Sequence, residues 1–153
     1  ASIMYNVLEE IPAVSKLVQV GVRDYCDEEQ DYINNSNGRV VTFFDQPIKD
    51  RLYEGAHWRD ITDEIISTLP QKVYISFDVD GLDPKLCPNT GTPVHGGFEV
   101  EQIFYLFRKV LASGRQVIAF DLNEVGVGDN DWDANVGARI LFKLCSLLTA
   151  ANS

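Results

Sequence analysis

The sequence predicts an α/β fold on a mostly parallel sheet, and three observations carry that prediction. Short β-branched or aromatic runs alternate with segments of three-four apolar spacing, as strands alternate with crossover helices. The runs are apolar on both faces, which suits strands covered from two sides. Three of the four runs end on an acid, at Asp45, Asp78 and Asp121. Open parallel sheets bind ligands beyond their carboxyl strand ends, so acids there are well placed for chemistry.

A first helix is expected over about Ser2 to Glu10, closed by Pro12, and the first strand runs from Leu17 to Val22. Cys26 to Gly38 is long enough to be a functional loop. The second strand is Val40 to Phe44. Asp60 to Leu69 carries Ile61, Ile65, Ile66 and Leu69 on one side of a helix that Pro70 ends. The third strand, Val73 to Phe77, leads into a second long loop, Gly81 to Gly97. Glu99 to Ser113 is the clearest helix, because Val100, Ile103, Phe104, Phe107, Val110 and Leu111 recur at helical spacing before Gly114 stops it. The fourth strand is Gln116 to Phe120, and Asn135 to Leu148 repeats the helical pattern with Val136, Ile140, Leu144 and Leu147. No linker or repeat divides the chain.

With 153 residues, 45% of them hydrophobic, the chain can bury a core, and 13 Lys+Arg against 23 Asp+Glu give a net charge of −10. That balance leaves no basic stripe for a phosphate backbone or an anionic membrane, so neither nucleic acid nor membrane is an expected partner. A cationic substrate is. No apolar run approaches the ~18–20 residues that cross a bilayer, and the start of the chain lacks the pattern of a secretory signal, so a cytoplasmic location is expected. Cys26, Cys87 and Cys145 are odd in number and form no C-x-x-C pair, which argues for reduced thiols over disulfides or a thiolate zinc site.

The strongest chemistry lies at Phe77-Asp78-Val79-Asp80. If the strand persists through Asp80, both carboxylates point to one side and Val79 turns into the core. Carboxylates so close repel unless a cation sits between them, and hard oxygen donors suit Mg²⁺ or Mn²⁺. The plain alternative is a pair of solvated acids where a strand runs into a loop.

The continuation decides between them. Ser76, Phe77, Asp78, Asp80, Asp83, Pro84, Pro88, Gly91, Thr92, Pro93, Gly96 and Gly97 match a Ser-Phe-Asp-x-Asp-x-x-Asp-Pro signature followed by Pro-x-x-Gly-Thr-Pro-x-x-Gly-Gly. In these residues the chain resembles the ureohydrolase family of arginases, agmatinases, formiminoglutamases and guanidinobutyrases. Gln19-Val20-Gly21-Val22-Arg23 and Asp121-Leu122-Asn123-Glu124-Val125 resemble two further strands of that family. The resemblance implies a three-layer α/β/α arginase-like fold with two Mn²⁺ ions at the strand carboxyl ends. It implies that Asp78 bridges both metals, that Asp80 binds one, and that Glu124 receives the substrate's guanidinium, a cation suited to a bidentate carboxylate. A structural partnership with an Arg is the alternative for Glu124. The implied reaction is hydrolysis of a guanidino compound to urea and an amine, using water activated between the metals.

Asp83 is expected to shape the turn before Pro84, Gly91, Gly96 and Gly97 to permit unusual backbone angles, His95 to lie on the rim, and His57 to be structural. The family's other metal ligands come from Gly-Gly-Asp-His and Asp-Ala-His-x-Asp segments that are absent here, and its acid/base His belongs upstream of Ala1. No catalytic residue is therefore expected within residues 1–153, which read as the C-terminal half of one ureohydrolase domain, inactive alone and exposing a sheet edge. Family members assemble as trimers or hexamers, so a homo-oligomer is implied. Arginases place an acid where Cys26 aligns, so agmatine is favoured over arginine, with Asp27 adjacent should the alignment slip. The other readings are a different ureohydrolase substrate, a non-catalytic interaction subunit, and a haloacid-dehalogenase-type phosphotransferase. Leu82 argues against the last, since that family has Thr there.

Overall fold

The computed structural model describes residues 2–151. Its elements are α1 (Ser2–Glu10), β1 (Leu17–Val22), α2 (Asp27–Asn35), β2 (Val40–Phe44), α3 (Asp45–Tyr53), α4 (Trp58–Thr68), β3 (Lys72–Asp78), α5 (Val100–Ala112), β4 (Gln116–Asn123) and α6 (Trp132–Ala151). Every expected strand and helix is present, and two helices are added.

The expected loop at Cys26 to Gly38 contains α2. Its first turn holds Asp27, Glu28 and Glu29 against the positive helix end, and the Cys26 N–H donates to Glu29 Oε2 at 3.1 Å. It buries no residue completely, so apolar periodicity gives little sign of it. The second addition, α3, starts directly at the end of β2. Pro47 falls in its first turn, where the missing N–H has no helical acceptor to lose.

Both strand pairs are parallel, β1 with β2 and β3 with β4, and no ladder joins the pairs among the described residues. Each strand thus keeps one unpaired edge, more exposed backbone than the single edge expected. The segment after β3 lies between the pairs. Phe98 fills the space beside Gly21 of β1, where a side chain would collide with its ring, and forms a parallel bridge with Leu82.

Strand β3 is not apolar on both faces. Val73, Ile75 and Phe77 are buried while Tyr74, Ser76 and Asp78 are exposed, the period-two pattern of a sheet covered on one side. The covered face meets α5 and α6. Ile103, Phe104, Phe107 and Val110 from α5 and Ile140, Leu144 and Leu147 from α6 join Ile61 and Ile65 of α4 in one core. The α6 helix is longer than expected. Its 20 residues are long and apolar enough in composition to cross a bilayer, which corrects the reading that no such segment exists. In this fold it buries Asp133, Gly137, Ile140, Leu144 and Leu147.

Candidate functional site

Strand β3 ends at Asp78, and a 3-10 turn over Val79–Gly81 follows. Asp80 is therefore not a strand residue, and the alternation expected to align it with Asp78 does not operate. The turn keeps the two close by another route: Val79 is fully buried, and Arg23 donates to the backbone carbonyls of Asp80 and Gly81. The Asp80 carboxylate accepts from Thr92 Oγ1 at 3.2 Å. Arg23, at the end of β1, thus ties the turn to the other strand pair.

Partial desolvation of the Asp78 carboxylate by its neighbours, although the residue is solvent-exposed, and then repulsion from Asp80 push its pKa above the ordinary aspartate range; Glu124 and Asp121 act in the same direction and Asn123 opposes them. Asp80, Glu124 and Asp121 all act on Asp78 as like charges, an effect that a bound cation would oppose. The donors are hard oxygens, right in kind for Mn²⁺ and too few in number for a full site. Among the described residues no group of three or more His, Cys, Asp or Glu could hold a metal.

Glu124 follows the last residue of β4 and has φ 63°, a left-handed conformation that a non-glycine residue adopts at a cost. Thr90 Oγ1 donates to its carbonyl at 2.9 Å. Its carboxylate lies over Gly91, where an added Cβ would come within 3.2 Å of Oε2. Unlike Gly96 and Gly97, at φ 93° and 84°, Gly91 has no positive φ, contrary to expectation.

The loop's far end is pinned by α3. Asp45 is buried and accepts the Gly97 N–H at 3.3 Å, while Lys49 Nζ donates to the Gly97 carbonyl at 2.6 Å. Asp83 accepts the Lys85 N–H at 3.0 Å, the turn-shaping role expected. His95 is exposed in the loop, and His57 occupies the N-cap position of α4 without a side-chain capping bond. Sequence reasoning missed Asn123, Asp45 and Asp133 as partners of this region. Only the strand-end position of Asp45 was a signal.

Residues 1–146 match the arginase family model. The chain is 36% identical over 126 residues to N(1)-aminopropylagmatine ureohydrolase of Thermus thermophilus, covering 82% of this chain and 38% of that protein. It is 33% identical over 98 residues to arginase-1 of Sus scrofa, covering 64% and 30%. The crystal structure of a hypothetical agmatinase from Burkholderia thailandensis superposes with a TM-score of 0.70 at 27% identity, covering 94% of this chain and 42% of that one. The chain spans roughly a third of the length of the curated relatives it matches. With the signature seated at parallel strand ends and residues 1–146 of the chain matched by the family model, the chain belongs to the arginase family.

Proposed function

We propose that residues 1–153 are the C-terminal portion of a manganese-dependent ureohydrolase that converts a guanidino compound, agmatine before arginine, to urea and an amine. The observation that carries this reading is the placement of Asp78, Asp80 and Glu124 at or just beyond the carboxyl ends of the paired parallel strands β3 and β4. Asp78 and Asp80 would hold Mn²⁺, which when bound supplies an activated water for hydrolysis. Glu124, whose backbone carbonyl accepts from Thr90, would orient the guanidinium.

Agmatine-type substrates are supported by Cys26, which offers no carboxylate to an amino-acid head group, and by the match to a ureohydrolase named for N(1)-aminopropylagmatine. The arginase-1 match keeps arginine as the second reading. The test is urea release with Mn²⁺ from the product of the whole reading frame, comparing agmatine, arginine, guanidinobutyrate and formiminoglutamate. Agmatine is expected to be preferred, and preference for arginine would overturn the reading of the Cys26 loop. The 153-residue chain alone is expected to release no urea; metal-dependent release from it would overturn the half-domain reading. Homo-oligomeric assembly and a cytoplasmic location belong to the same proposal, to be checked by sedimentation and by fractionation.

A further inference from the structure

The chain leaving β4 is held at three successive residues. Thr90 is buried, and its Oγ1 donates to the Glu124 carbonyl at 2.9 Å. The Val125 side chain packs against Gly137 of α6, where an added Cβ would come within 2.9 Å of it. Gly126 lies so close to the Asn89 carbonyl that a Cβ there would collide with backbone. Asn89 in turn is tied to the buried Asp133 of α6 by two hydrogen bonds of 2.9 Å. Glu124 thus enters a segment whose path is set by both the glycine-rich loop and α6, and it does so at φ 63°.

We infer that Thr90 is a positioning residue for Glu124: its hydroxyl holds the left-handed backbone from which the Glu124 carboxylate reaches over Gly91. The inference rests on the reading of Glu124 as the guanidinium acceptor. Left-handed backbone is unfavourable for a residue with a Cβ and persists only where the surroundings over-determine it. Among the described residues, Thr90 is the one whose side chain hydrogen-bonds the Glu124 backbone. A return to negative φ would redirect the Cα–Cβ bond and carry Oε2 away from Gly91, where it lies 3.2 Å from the place of an added Cβ. Orientation matters here, because a carboxylate and a planar guanidinium pair through two parallel N–H bonds. Thr90 acts through Glu124 and not on the substrate.

Two measurements test this. In the 153-residue chain, NMR reads the coupling between the Glu124 α proton and the preceding carbonyl carbon, which separates positive from negative φ. Thr90→Val should shift that coupling toward negative φ, and Thr90→Ser, which keeps the hydroxyl, should preserve it. A Glu124 coupling unchanged in Thr90→Val would overturn the inference; should that variant not fold, Thr90→Ala takes its place. In the product of the whole reading frame, kcat/KM for urea release from agmatine should fall about 10–100-fold in Thr90→Val, the scale of a small misplacement at a reacting centre, and recover in Thr90→Ser. Equal losses in the two variants would show a packing role and sink the positioning role. If Glu124→Gln leaves urea release unchanged, or the whole product releases no urea, the guanidinium reading fails, while the coupling still decides whether Thr90 holds Glu124.

Discussion

The Thr90 hydroxyl donates to the backbone carbonyl of Glu124 at 2.9 Å, joining the glycine-rich loop to the end of β4. One residue earlier, the Asn89 N–H and side-chain amide both donate to the buried Asp133 carboxylate at 2.9 Å. Asp133→Ala removes both acceptors and should cost roughly 1–3 kcal/mol. Thr90→Val should cost less, about 1 kcal/mol. Urea unfolding of the two variants checks the order, and an unchanged midpoint for Asp133→Ala would show that the clamp carries no stability.

Gly97 and Gly114 both have positive φ, but only Gly97 is crowded. An added Cβ at Gly97 would lie 2.5 Å from the Leu82 carbonyl oxygen, whereas nothing lies within 4 Å of one at Gly114. Gly114→Ala should cost about 1–2 kcal/mol from backbone conformation alone. Gly97→Ala should cost clearly more, since backbone must move. Equal losses in denaturant titrations would contradict the tight Leu82–Gly97 approach.

The raised pKa of Asp78, caused first by partial desolvation and then by Asp80, fixes the sign of a pH effect. The folded chain holds the Asp78 proton more tightly than the unfolded chain does. Stability is therefore lost as pH rises from the ordinary aspartate range through the raised folded value, and stays lost above it. Asp78→Asn should raise the metal-free melting temperature at neutral pH, and the gain should vanish in acid below the ordinary aspartate range. A gain that persists there would have another cause.

Cys87 is buried, and burial followed by the charge of Asp133 pushes its thiol pKa up to about 11. Cys26 and Cys145 are exposed. Maleimide near neutral pH should modify those two in the native chain and Cys87 only on unfolding. Mass spectrometry showing early modification of Cys87 would contradict this packing.

What was legible in the sequence was whatever apolar periodicity or the signature specified. The α5 stripe and the four strands were read from side chains that the core buries. The α2 helix escaped because it buries no residue, and α3 because Ile48 is the one apolar side chain it buries and a single one shows no period. Asp78, Asp80 and Glu124 were legible as signature residues. The turn at Val79–Gly81 was not, because it depends on Arg23 reaching carbonyls 57 and 58 residues away. Asn123 gained meaning only from the register that sets it beside Asp78.

The separation of the two strand pairs bears on how the molecule opens. Among the described residues no backbone ladder transmits cooperativity from β1–β2 to β3–β4; the coupling runs through side chains, including Arg23, Phe98 and the shared core. The two strand pairs are therefore expected to open separately. Amide protons of β3 and β4, backed by α5 and α6, should outlast those of β1 and β2 in hydrogen exchange. The divide between slow and fast exchange then falls across the strand ends at which the acids converge.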